Sequence, residues 1–163
     1  MELSKKSLEE ARKQILKFKD NYKKGINNSI KAATEAMYEK VLQHCYENGI
    51  SRAEDVVHWE YNDETNVGRV WTNDWVIIFN EMGTGIVGSQ NQHPNPSPAF
   101  KGWKYDVNEH GDMGWRYPKP DGTYGWTRGL PSRHMFYDAF EDIKNELGDY
   151  VRVELYKTTG NMY

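Results

Sequence analysis

The segment Trp75-Val76-Ile77-Ile78-Phe79-Asn80-Glu81-Met82-Gly83-Thr84-Gly85 decides the predicted fold, because it contains the most apolar short run of the chain. A short run of β-branched and aromatic residues is typical of a buried strand, and glycine directly after it is typical of an abrupt turn. We therefore predict a central strand that ends in a turn formed by Glu81, Gly83, Thr84 and Gly85. We expect a positive φ at Gly83 or Gly85, and we expect Glu81 to accept hydrogen bonds from backbone amides of this turn.

Two more strands are predicted directly before this one, because the hydrophobic period changes to two after Glu54. Residues 56–61 alternate in polarity, residues 62–66 have turn chemistry, and residues 68–71 form the returning strand. Near the end of the chain, residues 149–158 alternate in the same way and predict a closing strand. The strand segments at 54–81 and 149–158 together predict an antiparallel sheet of four to five strands.

The first fifty residues, 1–50, are predicted to be a helical region. A capping box at residues 7–10 begins a helix, Gly25 breaks or kinks it, and a second helix covers residues 29–47. Apolar residues recur at 3-4-3-4 spacing along the first helix, which places them on one stripe that suits packing against another helix. The candidate interface residues on this stripe are Leu8, Ile15, Phe18 and Tyr22.

One more helix is predicted in the C-terminal part of the chain. Residues 132–147 carry apolar residues at helical spacing, and we expect Gly148 to end the helix. The predicted fold class is therefore α+β in a single domain spanning residues 1–163. It has an N-terminal helical region, an antiparallel sheet of four to five strands, a C-terminal helix packed on one face of the sheet, and a long Gly/Pro-rich insertion.

The predicted insertion covers residues 82–131, which hold nine of the 14 Gly and all six Pro. This composition argues against helix, and we expect a short hairpin over residues 115–126 that turns at residues 120–122. Large aromatic side chains in a segment stiffened by proline are typical of interface anchors. The candidate interface residues here are Trp103, Trp115, Tyr117, Tyr124 and Trp126.

Composition and charge exclude several classes of protein. With 163 residues, 37% hydrophobic and 28% charged, the chain is neither a disordered acidic tail nor a membrane protein, and its N-terminus lacks the apolar stretch of a secretory signal. The single cysteine, Cys45, excludes an internal disulfide and is expected to be a packed thiol. The net charge is −3, and residues 1–50 carry only +3, so nucleic-acid contact is weakly supported.

No motif of the chain predicts catalysis, a cofactor or a metal. The run from Gly83 to Gly88 matches G-x-G-x-x-G, but no helical pattern follows it, so we do not expect dinucleotide binding. His93, Asp106, Glu109 and His110 are metal-ligand types without the short spacings of zinc sites. We expect a protein that is not an enzyme. Glu81 paired with a second carboxylate for glycoside hydrolysis is the enzymatic alternative that stays open.

The order of segments resembles the small tail-component, or tail-completion, proteins of long-tailed bacteriophages. The resemblance is carried by residues 75–85, the insertion after them, and Thr127-Arg128-Gly129-Leu130-Pro131-Ser132-Arg133-His134-Met135-Phe136-Tyr137-Asp138-Ala139-Phe140. In that family one strand ends in a Glu-aromatic-Gly-Thr-like turn. Met82 stands here where an aromatic residue is more usual. Glu81, Gly83, Thr84 and Gly85 match this turn, and Met135, Phe136 and Ala139 match the start of the last helix.

The resemblance implies a virion structural protein at the head–tail junction or in the tail, made in the host cytoplasm. Such a protein acts in tail completion or head–tail joining, through contacts with other neck and tail proteins. It forms a homo-oligomeric ring, for which six subunits is one arrangement, and it has no known catalysis. The alternative is a phage-associated carbohydrate-binding protein or glycosidase that uses the Trp/Tyr-rich loop.

Overall fold

The computed structural model describes residues 5–95, 100–119 and 121–160. These residues combine helices with short strands, so the fold is broadly α+β. The elements, in chain order, are α1 (Lys5–Glu47), α2 (Ala53–Val56), β1 (Val57–Asn62), β2 (Val67–Thr72), α3 (Trp75–Met82), α4 (Gly85–Gln90), β3 (Trp115–Pro118), β4 (Tyr124–Thr127), β5 (Gly129–Leu130) and α5 (Met135–Thr159).

The chain divides into two compact units, each built from separate stretches of sequence. The first unit contains the described residues of Met1–Met37, Trp59–Val70 and Asp142–Tyr163. The second unit contains Tyr38–His58 and the described residues of Trp71–Glu141. Helices α1 and α5 and strands β1 and β2 therefore contribute residues to both units.

In the first unit, α1 and α5 pack closely at Gly25. A Cβ atom at this position would lie 2.5 Å from Thr158 Oγ1 and 2.9 Å from Leu155 Cδ2, so a larger residue would force the helices apart. The buried Ser29 hydroxyl donates a 2.7 Å hydrogen bond to the Gly25 carbonyl oxygen one helical turn earlier. Leu155 and Ala33 are buried and belong to the core of this unit.

In the second unit, α3 supplies much of the core. The Asp74 side chain caps this helix by accepting hydrogen bonds from the amides of Val76 at 3.0 Å and Ile77 at 3.2 Å, as expected for an N-cap aspartate. The side chains around α3 are tightly enclosed. The largest fully buried ones in this unit are Ile77, Met82, Met135, Val41, Val57 and Cys45.

The predicted capping box is wrong, and of the break or kink expected at Gly25 the break is wrong, because α1 runs without interruption over 43 residues. Ser7 lies inside this helix and is not its N-cap. A glycine inside a helix costs about 1 kcal/mol relative to alanine, but the absent side chain at Gly25 makes room for α5. Close packing against α5 therefore outweighs the local tendency of glycine to break the helix.

The predicted central strand is also wrong, since its residues form helix α3. Ile77 and Ile78 are both buried, whereas Trp75 and Phe79 are exposed, and this burial follows a helical period. A short apolar run fits a buried strand and a helix equally well. The hydrogen bonds to the Asp74 side chain are the local feature that favours the helix.

The C-terminal helix is longer than predicted. Helix α5 begins at Met135 instead of residue 132, and it continues through Gly148 to Thr159, so the predicted strand at 149–158 is wrong. The same residues that alternate as a strand also place apolar side chains at four-residue steps, which suits a helix. The burial of Leu155 in the first unit stabilises the helical arrangement.

The strands form two separate two-stranded sheets, β1 with β2 and β3 with β4. The described residues therefore contain no sheet of four to five strands, and that prediction is wrong. The pair β1–β2 lies where the sequence predicts two strands. The predicted hairpin over residues 115–126 is confirmed, because Trp115 pairs with Thr127 and Pro118 with Tyr124. Pro120 of its predicted turn lies outside the described residues.

Candidate functional site

Glu81, at the end of α3, is a buried hydrogen-bond acceptor for the N-terminus of α5. Its Oε2 accepts from the Phe136 amide at 2.9 Å, and its Oε1 accepts from the Tyr137 amide at 3.1 Å. His93 Nε2 lies 2.9 Å from Oε1, and both side chains are almost fully enclosed. The Glu81 carbonyl oxygen accepts a hydrogen bond from the Ser132 hydroxyl. A carboxylate at a helix N-terminus accepts hydrogen bonds from free amides, and its negative charge interacts favourably with the positive end of the helix dipole. This arrangement therefore joins α3 to α5.

The prediction that Glu81 accepts hydrogen bonds from the amides of its own turn is therefore wrong. The donors are amides more than fifty residues later in the chain, which local sequence cannot indicate. His93, one of the metal-ligand types in the sequence, lies instead beside Glu81. Among the described residues no group of three or more His, Cys, Asp or Glu side chains is arranged to hold a metal ion.

The predicted positive φ in the turn after Glu81 is confirmed, although this turn follows a helix and not a strand. Gly83 has φ +80° and ends α3, and Gly85 has φ +62° and begins α4. The Thr84 hydroxyl accepts a 3.2 Å hydrogen bond from the Leu130 amide. Thr84 and Gly85 also form antiparallel bridges with residues 129–130. The turn thus joins the start of α4 to β5.

The G-x-G-x-x-G run opens helix α4, contrary to the expectation that no helix follows it. Two of the amides at this helix start are already used by the protein. The Gly85 amide donates to the Tyr105 carbonyl oxygen, and the Val87 amide donates to the Arg128 carbonyl oxygen at 3.3 Å. A dinucleotide pyrophosphate needs free amides at such a helix start, so the run serves packing within the second unit.

Asp106 and His110 form a separate pair in the second unit. Asp106 Oδ1 lies 2.9 Å from His110 Nδ1, and Asp106 Oδ2 accepts a 2.7 Å hydrogen bond from the Gly111 amide. These hydrogen bonds, that of the Gly111 amide first, lower the pKa of the Asp106 carboxyl. The His110 ring also lies against Trp115, with 4.9 Å between the ring centroids. The pair holds the loop before β3 in position.

An open groove of about 920 Å³ in the second unit brings several predicted residues together. Trp75 and Phe79 of α3 line it with ring centroids 5.7 Å apart, and Phe79 continues to Trp103 at 6.1 Å. The Trp103 indole donates a 2.9 Å hydrogen bond to the Gly83 carbonyl oxygen, which fixes this ring beside the turn. We call this surface the aromatic groove, and its aromatic lining is Trp75, Phe79, Trp103, Tyr105, Trp115 and Tyr117.

The β3–β4 hairpin separates the remaining predicted aromatic residues onto two faces. Trp115 and Tyr117 lie two residues apart on β3 and line the aromatic groove. Trp126 pairs with Arg116, so these two side chains share the other face of the hairpin. Tyr124 belongs to the same face as Trp126 and is exposed like it. The five aromatic residues therefore do not form one surface.

The predicted stripe on α1 is exposed in the first unit. The exposed fraction is 54% for Leu8, 67% for Ile15, 38% for Phe18 and 42% for Tyr22. The rings of Phe18 and Tyr22 lie 6.1 Å apart on adjacent turns. We call residues 5–24 of α1 the arm. All of the residues from 8 to 20 in it are exposed, so no described part of the chain covers the stripe.

Trp75 and Phe79 are groove residues that sequence reasoning missed. Both were assigned to a buried strand, yet both are exposed on one side of α3. Their spacing of four residues was the available signal, because residues at i and i+4 share one face of a helix. The Asp74 cap directly before them was a second signal.

Comparison with known proteins finds no match: no protein-family model fits the chain, and neither a curated protein nor a solved structure matches it. A search of the described helices for membrane spans finds none that is long and apolar enough to cross a bilayer.

Proposed function

We propose that this chain is a virion structural protein of a long-tailed bacteriophage that acts in tail completion or head–tail joining. It works through protein–protein contacts with other neck and tail proteins and has no catalytic role. The observation that carries this proposal is the exposed stripe of the arm, Leu8, Ile15, Phe18 and Tyr22. Full burial of one such side chain contributes roughly 1.5–3 kcal/mol. Because four of them lie on one helix, their burial against a partner would strongly favour binding.

Oligomerisation fits the same surface. A subunit that uses the arm to contact a different surface of the next subunit has one donor surface and one acceptor surface. Repetition of such a contact closes into a ring when the rotation allows. A ring, with six subunits as one arrangement, suits a tubular tail or neck.

The role of Glu81 favours assembly over glycoside hydrolysis. Its carboxylate is almost fully buried and accepts from the amides of Phe136 and Tyr137, with His93 against Oε1. A general acid or nucleophile must reach the substrate, and two carboxylates must lie roughly 5–9 Å apart across it. The contacts of Glu81 are all with groups that hold α5 in place.

Carbohydrate binding is a second candidate, and the aromatic groove favours it. Sugar rings stack on exposed Trp and Tyr faces, and the groove offers Trp103, Trp115 and Tyr117 together with the polar Asp106 and Asn108. Titration with host cell-wall oligosaccharides, followed by tryptophan fluorescence, tests this function. Binding that disappears in Trp103→Ala, while the circular dichroism spectrum stays unchanged, would place carbohydrate binding first.

The experiment for the proposed function combines genetics and particle analysis. Deletion of the gene from its phage is expected to leave filled heads and tails that fail to form normal infectious particles. Mass spectrometry of purified wild-type particles is expected to find the protein in several copies per virion. Normal infectious virions from the deletion strain, or absence of the protein from purified particles, would overturn the proposal.

A further inference from the structure

We infer that the arm of one copy binds the α5 surface of a second copy, in a depression of the first unit. This inference rests on the proposed assembly function and names the partner surface for it. The depression is about 400 Å³ in volume and is lined by both apolar and acidic side chains. Its apolar lining is Ala32, Tyr150 and Val153, and its acidic lining is Glu146, Asp149 and Glu154.

The arm extends beyond the end of α5 in its own subunit. Gly25 of α1 lies against Leu155 and Thr158, in the last turns of α5. Ala32, which comes later in α1, lines the depression together with residues that come earlier in α5. The two helices therefore run antiparallel, and residues 5–24 lie past the point where α5 ends. At 1.5 Å per residue, the arm is about 30 Å long.

The arm cannot cover its own stripe by folding back. Helix α1 continues through Gly25 without a break, so a return toward α5 would require loss of helical hydrogen bonds at this point. The stripe therefore stays exposed in an isolated subunit. In the proposed contact, another molecule covers it.

Opposite charges favour a second copy of the chain as that molecule. The arm carries eight Lys/Arg against three Asp/Glu, a net charge of +5. Helix α5 carries three Lys/Arg against six Asp/Glu, a net charge of −3. In the depression, the charged lining consists of three carboxylates and the single ammonium of Lys157. Complementary charge of this kind steers association and fixes its orientation.

Helix α5 offers exposed apolar surface to the stripe, in addition to its negative charge. Val153 is exposed inside the depression, and Leu147 and Tyr156 are exposed elsewhere on the same helix. Asp149 and its partner Arg152 are both exposed, and because exposed ion pairs are weak, rearrangement of this pair does not oppose docking of a basic helix. The Glu154 side chain is mostly enclosed and keeps its partner Lys157.

Positions on the arm show which basic residues would face the depression. Arg12 follows Ala11, which occupies the position between Leu8 and Ile15 in the 3-4-3-4 spacing of the stripe. Lys19 and Lys23 follow Phe18 and Tyr22 by one residue, so these three basic residues flank the stripe along one side. Lys13, Lys17 and Lys24 lie about half a turn away, on the face opposite the stripe. These two triplets carry the same charge, which makes the second a matched control for the first.

The experiment uses charge reversal in the full chain, with association measured by sedimentation velocity. The arm variant changes Arg12, Lys19 and Lys23 to Glu, and the α5 variant changes Glu146 and Asp149 to Lys. Each variant alone is expected to associate at least about tenfold more weakly than wild type. An equimolar mixture of the two is expected to recover association, because each variant arm then meets an α5 surface of opposite charge. The control triplet Lys13, Lys17 and Lys24 to Glu is expected to change association less than about threefold.

Several results would overturn the inference. They are a wild-type chain that stays monomeric at about 1 mM, a mixture that fails to recover association, and a control triplet that weakens association as much as the arm variant. Binding of the arm to duplex DNA without association of copies would also overturn it. Presence of the protein in virions together with any of these results leaves the assembly function standing. Recovery in the mixture with absence from virions refutes that function alone.

Discussion

At the scale of single residues, Glu81 connects two elements that are distant in sequence. Its two carboxylate oxygens accept from two α5 amides and contact His93. Glutamine keeps the shape but replaces one acceptor oxygen with a donor and removes the charge at the helix N-terminus. We expect Glu81→Gln to lower the free energy of unfolding by roughly 1–3 kcal/mol, measured by urea denaturation. Glu64→Gln, on the exposed turn between β1 and β2, is the control. Equal stabilities of both variants and wild type would contradict the assigned role.

Because of Cys45, we expect the free energy of unfolding to fall at alkaline pH. Burial first, and the charge of Glu81 second, raise the pKa of the Cys45 thiol to about 12, whereas an unfolded cysteine ionises near pH 8.5. Between these values the unfolded state binds fewer protons, so stability is full below about pH 8.5 and falls as pH rises toward 12. The loss is at most about 1.4 kcal/mol per pH unit.

The variant Cys45→Ala isolates this contribution from the tyrosines that titrate in the same range. We expect the stability difference between wild type and Cys45→Ala to shrink as pH rises from 8 to 10. The native thiol should also react slowly with a thiol reagent at pH 8, because it is fully buried. A pH-independent difference together with rapid labelling would show that Cys45 is accessible.

At the scale of elements, the turn between α3 and α4 combines a backbone requirement with a packing requirement. Gly83 has φ +80°, and a Cβ atom there would lie 2.8 Å from the Ser132 amide nitrogen. Gly122 has the same φ but no atom within 4 Å of that position. We expect Gly83→Val to lower the free energy of unfolding by more than about 1 kcal/mol. The effect of Gly122→Val should be smaller, because it has the strained φ without the collision. Thermal denaturation of the two variants measures the difference, and equal losses would contradict the packing contribution.

The sequence predicted the elements that depend on local chemistry. The β3–β4 hairpin and the pair β1–β2 were found because alternation and turn residues are short-range signals. The positive φ at Gly83 followed from the abrupt end of an apolar run. Helix α3 was missed because a short apolar run fits helix and strand alike, and the end of α5 was missed because an exposed Gly148 does not stop a helix that is stabilised by packing.

Contacts between distant segments could not be predicted. The Glu81 carboxylate meets α5 amides more than fifty residues away, and Gly25 meets Leu155 across a still longer separation. Both contacts depend on where helices pack, and a single sequence holds no direct signal of that. The stripe of the arm is an exception, because its periodicity identified candidate interface residues that are exposed on α1.

At the scale of the whole molecule, the exposed arm has a consequence for how the protein behaves while it accumulates in a cell. A free subunit presents an apolar helical surface to the solvent, which is the type of surface that drives nonspecific clustering. The arm carries eight lysine and arginine side chains, and repulsion between the arms of free copies keeps these copies apart. The same charges that select an acidic partner thus act as a colloidal stabiliser until one arrives. Screening by salt weakens this repulsion, so high ionic strength would favour disordered clustering of free subunits over ordered binding.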